Sequence, residues 1–153
     1  MQKKHKNFKK NQKKGCFMGF VVKNVFPTNE EFNKLFYSVG WGNRKNSKIN
    51  EHRKSSVYSV CVYSDDEIIG MARVVGDGAY YTVYDVVVDS AFQGKGVGAL
   101  LMEKIVNWYK SIEDDDSYLY LGASFGKEGF YEKFGFKARP YGHIGAGMKY
   151  DVD

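Results

Sequence analysis

The stretch VVVDSAFQGKGVGALLMEKI, residues 86–105, contains the pattern from which the fold can be inferred. Three valines typical of a buried strand lead into a short loop, and an amphipathic segment with helical spacing follows. Glycines alternate at Gly94, Gly96 and Gly98, where the strand passes into the helix. One glycine would serve a tight strand-to-helix turn, so three indicate that the loop brings bare backbone close to a ligand.

The predicted start of this helix is suited to binding an anion. N–H groups in the first turn of a helix have no partner within the helix, and the helix dipole adds partial positive charge. The loop therefore predicts a phosphate cradle, to which the side chain of Lys95 adds charge. The members of this cradle are Gln93, Gly94, Lys95, Gly96, Val97 and Gly98.

Two common nucleotide-binding motifs do not account for the loop. A P-loop needs a Lys followed by Ser or Thr after its glycines, and no such pair follows here. The dinucleotide pattern G-x-G-x-x-G/A fits Gly94, Gly96 and Ala99. That motif also needs an acidic residue at the end of the next strand, where residues 121–123 read LGA.

The net charge of +5 belongs to the beginning of the chain and not to its body. Residues 1–14 hold seven lysines and no acid, which leaves 16 basic against 18 acidic residues in the remainder. A slightly acidic body argues against a nucleic-acid-binding domain. We expect residues 1–17 to form a basic, disordered tail and residues 18–153 to form one domain, with Met18 left open as the true start.

Cysteine usage and hydropathy indicate the cellular setting. Cys16 and Cys61 lie far apart and near no His/Cys cluster, which argues against a disulfide scaffold or a zinc site. No apolar run approaches the roughly 18 residues of a membrane span. These features predict a cytoplasmic protein without a membrane segment or a bound metal.

Hydrophobic periodicity predicts a mixed α/β fold, in which an antiparallel meander precedes a parallel strand–helix–strand unit. The turns at residues 64–67 (SDDE) and 77–78 (DG) make the middle strands antiparallel neighbours. Thr28 and Glu31 form the capping-box pattern of a helix that stops at Gly40. The predicted strands are 19–26, 57–63, 68–76, 80–88 and 118–123, with one or two more after residue 136, and the predicted helices are 27–40, 97–112 and 127–135, besides a short helix within the polar loop 42–56.

The segment Gln93–Gly98 resembles the Q/R-x-x-G-x-G/A motif of the GNAT acetyltransferases. A strand ending in VVV precedes it, a long helix follows it, and GFYEKFGF stands near the end of the chain, in that family's order over residues 20–150. The resemblance implies a GNAT-like, mostly antiparallel twisted sheet with flanking helices. It also implies transfer of acetyl from acetyl-CoA to a primary amine by direct attack in a ternary complex.

The resemblance assigns roles to individual residues. In this family the glycine loop holds the pyrophosphate of acetyl-CoA, and the preceding strand splays from its parallel neighbour. Backbone groups of Val86 and Val88 would then bind the pantetheine arm like a missing strand. Tyr131 matches the tyrosine that usually protonates the leaving CoA thiolate, and its neutral phenol suits that role at pH 7.

The proton path from the attacking amine is left open. Alternation along residues 80–88 predicts that Thr82 and Tyr84 share a face with Val86 and Val88, and neither is a good base. Asp85 is the carboxylate of this strand, but it is expected on the opposite face as a structural hydrogen-bond acceptor. A water wire and the absence of any dedicated base are the remaining alternatives.

The acceptor pocket is expected between the first helix with its following loop and the C-terminal strands. Its candidate lining residues are Tyr37, Trp41, Tyr84 and His143. Aromatic side chains there would suit a small amine with an apolar body, such as an arylalkylamine, or a polyamine or amino sugar. Acetylation of a protein amine, and a module that senses CoA without turnover, are the alternatives. The sequence does not fix the oligomeric state and leaves a homodimer open.

Overall fold

The computed structural model describes residues 16–17 and 19–150, which build one mixed sheet with helices on both faces. The strands are β1 (Cys16–Phe17), β2 (Phe20–Lys23), β3 (Ser56–Ser64), β4 (Glu67–Gly76), β5 (Tyr80–Val88) and β6 (Tyr118–Leu121). The helices are α1 (Asn29–Ser38), α2 (Asn46–Ser55), α3 (Val97–Lys110) and α4 (Glu128–Glu132), with a 3₁₀ turn at Ser90–Phe92. The spatial order of the six strands follows the chain. Pairing is antiparallel from β1 to β5 and parallel between β5 and β6, so the predicted meander and βαβ unit are confirmed.

Two apolar clusters cover the two faces of the sheet, because strand residues alternate between the faces. The first, which we term the α3-side core, packs α3 against β3, β4 and β5. Its buried members are Val60, Val62, Ile69, Ala72, Val74, Tyr81, Val83, Val97, Leu101, Met102 and Ile105. The second, the α1-side core, packs α1 and α2 against the opposite face. Its buried members are Phe32, Leu35, Phe36, Ile49, Cys61, Tyr63, Ile68, Met71 and Val87.

The first helix begins and ends where the sequence predicts. The Thr28 hydroxyl accepts a hydrogen bond from the Glu31 amide at 3.2 Å, and the Glu31 carboxylate accepts one from the Thr28 amide at 2.8 Å. These two bonds complete the predicted capping box. Gly40 follows the helix with φ of 77°, a conformation that glycine adopts without strain.

The chain differs from the sequence-based prediction at both ends. Strand pairing begins earlier than expected, since Cys16 and Phe17 pair with β2, while residues 1–15 of the predicted tail lie outside the described residues. The prediction of one or two strands after residue 136 is wrong for the described residues up to 150, where a single Tyr141–Ile144 bridge forms. Glycines interrupt this segment and supply no side chains to pack, which weakens a strand. Within the described residues, no helix has the length and hydropathy needed to cross a membrane.

A glycine in the centre of β4 allows α3 to approach the sheet. A Cβ atom built on Gly70 would lie 2.7 Å from Cγ1 of Val97, the first residue of α3, and 3.3 Å from Cδ1 of Leu101. All three residues are buried. The missing side chain therefore sets how closely the N-terminus of α3, and the loop before it, lie against the sheet.

We expect Gly70→Ala to destabilise the protein by about 1–3 kcal/mol, because the added methyl group overpacks a fully buried contact. The measurement is the free energy of unfolding in urea. Gly145→Ala is the matched control, since a Cβ there meets nothing within 4 Å and should leave stability within about 0.5 kcal/mol. Equal stability of both variants would show that Val97 can move away without loss.

Candidate active site

The sheet opens between its two parallel strands. β5 pairs with β6 from Tyr80–Tyr118 to Val83–Leu121, and β5 then continues to Val88 beyond the last residue of β6. Over residues 84–88 the edge of β5 that faces away from β4 is therefore without a strand partner among the described residues. Such an edge presents backbone N–H and C=O groups to an extended ligand.

A β-bulge lies at the point where the sheet opens. Tyr84 pairs with Arg73 and Val87 pairs with Met71, so two residues of β5, Asp85 and Val86, stand opposite one residue of β4. Asp85 has φ of 52°, in the left-handed region that few non-glycine residues occupy.

The bulge reverses the alternation of side chains along β5. Tyr81 and Val83 belong to the α3-side core, and beyond the bulge Val86 and Val88 pack against that same core. The expectation that Thr82 and Tyr84 share a face with Val86 and Val88 is therefore wrong, because one inserted residue shifts the period-two pattern.

The glycine loop leaves an open cradle at the N-terminus of α3. Gly94 and Gly96 have φ of 75° and 83°, and Gly96 is the N-cap of α3 without a side-chain capping bond. A Cβ built on either glycine would meet no atom within 4 Å. Neighbouring side chains thus do not fill the cradle, and the free N–H groups of the first helical turn fit a diphosphate.

Side chains around the cradle fix the loop itself. The Gln93 side-chain amide donates to the Val88 carbonyl at 3.1 Å, so Gln93 ties the loop to the end of β5. Asp89 accepts from the Ala91 amide at 2.9 Å. The Lys95 ammonium lies 4.8 Å from the centre of the Phe92 ring and remains exposed beside the cradle.

The third glycine of the motif serves packing. A Cβ on Gly98 would lie 3.3 Å from Cζ of Phe130, which belongs to α4. This close approach brings Tyr131, the next residue, to the same end of the sheet. Its half-buried ring contacts Phe130 and Phe136 edge-to-face, and no described residue forms a hydrogen bond with its hydroxyl. Burial raises the pKa of Tyr131 above its ordinary value near 10, so the phenol is protonated at neutral pH.

Tyr131 also lines an open cavity of about 1080 Å³ between the end of β6, α4 and the segment after α4. Thr82 and Gly122 lie on its walls, as do Glu128 and Arg139. This volume is sufficient for a small ligand. Leu121, the last residue of β6, also lines this cavity, whereas Val86, Val88 and the cradle residues 93–98 do not.

The structure does not bring the four predicted acceptor residues into this cavity, although it describes all of them. Tyr37 is 73% exposed on α1. The rings of Trp41 and Phe36 are in an edge-to-face arrangement, with their centroids 5.2 Å apart. Tyr84 is 48% exposed at the bulge, and His143 is exposed in the turn closed by the Tyr141–Ile144 bridge.

Sequence reasoning missed a buried charged cluster on the α1-side face. Arg73 is 6% exposed and donates from Nε to Oδ2 of Asp85 at 2.5 Å. Its Nη2 lies 3.5 Å from Nδ1 of His52, and its guanidinium lies 5.3 Å from the centre of the Tyr84 ring. Burial, and then the charge of Arg73, lower the pKa of His52. An arginine inside the apolar run IIGMARVVG was the available signal, since a charge there needs a partner. The expected role of Asp85 as a structural acceptor on the opposite face from Val86 is confirmed.

Comparison with known proteins identifies the class. The family model of the acetyltransferase (GNAT) domain matches residues 56–138, more than half of the chain. The chain belongs to the GNAT acetyltransferase family. The matched range runs from β3 to the segment after α4 and includes the cradle, the bulge and Tyr131.

Curated relatives carry the same domain in longer chains. Histone acetyltransferase TAP1 of Glycine max is 33% identical over 116 residues, covering 68% of this chain and 49% of the relative. GCN5-related N-acetyltransferase 2, chloroplastic, of Arabidopsis thaliana is 32% identical over 125 residues, covering 68% of this chain and 48% of the relative. The chain spans about half the length of these curated relatives.

A solved structure confirms the mixed α/β GNAT fold. A Staphylococcus aureus protein of unknown function, described as a probable acetyltransferase, superposes with a TM-score of 0.76 at 28% identity. The superposition covers 87% of this chain and 99% of that chain. This chain thus shares its fold with nearly all of that solved chain.

We expect Gly96→Asp to weaken binding of coenzyme A at least about tenfold, because a carboxylate in the cradle repels the diphosphate. Isothermal titration calorimetry with coenzyme A measures the dissociation constant. Gly96→Asn is the matched control, since Asn has the same shape and tolerates a positive φ but carries no charge. If the Asp and Asn variants bind coenzyme A equally well, the cradle does not hold the diphosphate.

Proposed function

We propose that this protein is an acetyl-CoA-dependent N-acetyltransferase that acetylates a primary amine of a small molecule. The observation that carries the proposal is the open glycine cradle at the N-terminus of α3, directly beside the unpaired edge of β5. A free strand edge that is followed directly along the chain by an anion site suits a ligand with a diphosphate and an amide-containing arm.

The loop and the strand edge would hold acetyl-CoA, which supplies an activated acetyl group as a thioester. Backbone N–H groups of residues 94–99 bind the diphosphate, and Lys95 adds a positive charge. The backbone N–H and C=O of Val86 and the backbone N–H of Val88 bind the amides of the arm, while the Val88 carbonyl accepts from the side chain of Gln93. These contacts orient the thioester towards the point where β5 and β6 separate.

Tyr131 acts as the general acid in this proposal. Its raised pKa keeps the hydroxyl protonated, and the hydroxyl forms no hydrogen bond with any described residue. It donates its proton to the sulfur that leaves when the amine attacks the acetyl carbonyl.

The proton released by the amine goes to water. Asp85, the carboxylate on β5, is held by Arg73 and is not free to accept it. Thr82 and Tyr84 are poor bases at neutral pH. An acetyl intermediate on Cys61 is disfavoured, because burial raises the pKa of the Cys61 thiol to about 12.

The acceptor is proposed to be a small amine with an aromatic or aliphatic body. Tyr84 and Trp41 are large, exposed aromatic side chains that can contact an apolar body or a cation. A protein amine is the second candidate, because the soybean relative is named a histone acetyltransferase. The cytoplasmic location stays a prediction, since the Arabidopsis relative is named for the chloroplast.

An amine panel with thiol-release detection tests the acceptor class. We expect turnover with an arylalkylamine, a polyamine or an amino sugar at a higher kcat/KM than with a histone tail peptide. Tyr84→Ala should raise the KM of the preferred amine by at least about fivefold, through lost aromatic contact. A preference for the peptide would favour the second candidate. Tight binding of coenzyme A without turnover of any amine would indicate a sensing module.

We expect Tyr131→Phe to lower kcat by about 10²-fold or more, with the dissociation constant for coenzyme A unchanged, because the proton donor is lost while the ring remains. Rates come from the same thiol-release assay. In the parent enzyme, activity should persist until the pH rises above about 10, where the phenol with its raised pKa begins to ionise.

Tyr109→Phe is the control for this prediction. It removes another phenolic hydroxyl from a wall of the same cavity, where Tyr109 bonds to Ser117 at 3.0 Å. Its kcat should stay within about twofold of the parent. Equal rates for Tyr131→Phe and the parent would remove Tyr131 as the acid.

A further inference from the structure

We propose that the Arg73–Asp85 ion pair is a positioning device, which locks the β5 bulge and thereby aligns the backbone of Val86 and Val88 with the arm of acetyl-CoA. The inference rests on the proposed acetyl-CoA site. It assigns to two charged residues, which touch neither the cradle nor Tyr131, a role in cofactor affinity beyond stability.

The backbone of the bulge needs support. Asp85 occupies the left-handed region at φ of 52°, which is unfavourable for a residue with a Cβ, although Asp tolerates it better than most. Its side chain is 19% exposed, so the carboxylate is largely removed from water. A residue that is both strained and desolvated persists where surrounding contacts hold it.

Arg73 supplies those contacts from three directions. Nε donates to Asp85 at 2.5 Å, and Nη1 lies 3.5 Å from the hydroxyl of Ser56, at the start of β3. Nη2 lies 3.5 Å from Nδ1 of His52, on α2, whose lowered pKa leaves it neutral and able to accept. The planar guanidinium therefore ties the bulge to β3 and to α2, and its rigid fork fixes the direction of the Asp85 carboxylate.

The position of the bulge decides which backbone groups of β5 face the ligand. The bulge begins two residues after Val83, where pairing with β6 ends. If the bulge relaxed into regular pairing, every later side chain of β5 would change faces, and Val87 would leave the α1-side core. The same slip would exchange the inward and outward directions of the N–H and C=O groups at Val86 and Val88. The ion pair thus selects the register in which the strand edge is presented to the ligand.

The direction in which Asp85→Asn changes the affinity for coenzyme A distinguishes a positioning role from a direct electrostatic effect on the ligand. Asp85→Asn removes a negative charge from the neighbourhood of an anionic ligand, so Coulomb interaction alone would strengthen binding of coenzyme A or leave it unchanged. Loss of the positioning role of the ion pair would instead weaken binding of coenzyme A. Asn tolerates the left-handed region, so the backbone preference at this position is retained.

The test compares Asp85→Asn with Glu67→Gln by calorimetry with coenzyme A, at a temperature well below the melting point of both variants. Glu67 is the first residue of β4, the strand that carries Arg73, and it pairs with Lys34 on an exposed surface, so its variant removes an ion pair without touching the bulge. We expect Asp85→Asn to raise the dissociation constant at least about tenfold and the KM for acetyl-CoA in proportion, with the KM for the amine unchanged. Glu67→Gln should match the parent.

Arg73→Lys is a conservative variant that tests whether the charge of Arg73 alone restores binding of coenzyme A. Lys retains the charge but not the three-way fork, so binding of coenzyme A should lie between that of the parent and that of Arg73→Met. The double variant Arg73→Met/Asp85→Asn should bind no more weakly than the weaker single variant, because the two side chains act as one unit. Amide hydrogen exchange in the free protein should be faster over residues 85–88 in each pair variant than in Glu67→Gln.

Distinct results overturn the inference and the proposed function. If the parent binds coenzyme A and the variants bind it equally well or more tightly, with lower melting temperatures, the pair is structural and the inference is wrong. If the parent itself does not bind coenzyme A, the proposed function fails. Unchanged hydrogen exchange over residues 85–88 in the Arg73 and Asp85 variants would also overturn the inference that the ion pair holds the bulge.

Discussion

Parallel pairing between β5 and β6 covers four residues and then stops, and the candidate site depends on that interruption. A strand that stays paired on both edges has no backbone group left to offer a ligand. Here β5 keeps its bonds to β4 on one edge and frees the other for residues 84–88. In the proposed function the sheet is therefore both the scaffold and the surface that binds the ligand, and the bulge at Asp85 lies between these two parts of β5.

The cradle at the N-terminus of α3 continues from this open edge. Its position depends on small residues at two contacts: Gly70 lets Val97 lie against β4, and Gly98 lets Phe130 lie against α3. The first contact sets the depth of the helix on the sheet, and the second lets α4, which carries Tyr131, pack against the N-terminal turn of α3. Glycine therefore has two separate uses in this region, one in the free backbone of Gly94 and Gly96 and one in close packing.

Burial of charge accounts for the remaining part of the site. Arg73 stands within an otherwise apolar strand, where an unpaired charge would be strongly unfavourable. Its partners come from β3, β5 and α2, so satisfying the guanidinium also joins these elements on the α1-side face. Because Asp85 is engaged in this way, its carboxylate is a structural group.

The sequence by itself determined the order of elements from β2 to α4, the mixed sheet, the capping box at Thr28 and the glycine loop before α3, because each follows from local periodicity or from backbone chemistry within a few residues. It also marked Tyr131 through its resemblance to a known motif. The tertiary structure alone decided the bulge, the face on which Thr82 and Tyr84 lie, and the partners of Arg73. A one-residue insertion in a ladder leaves the pattern VYDVVV looking regular, since pairing with β4 and not the strand itself defines the register. Pairing with a neighbouring strand also decides whether a segment becomes a strand at all. The segment after residue 136 was expected to form strands, but its glycines supply no side chains to pack against a partner strand.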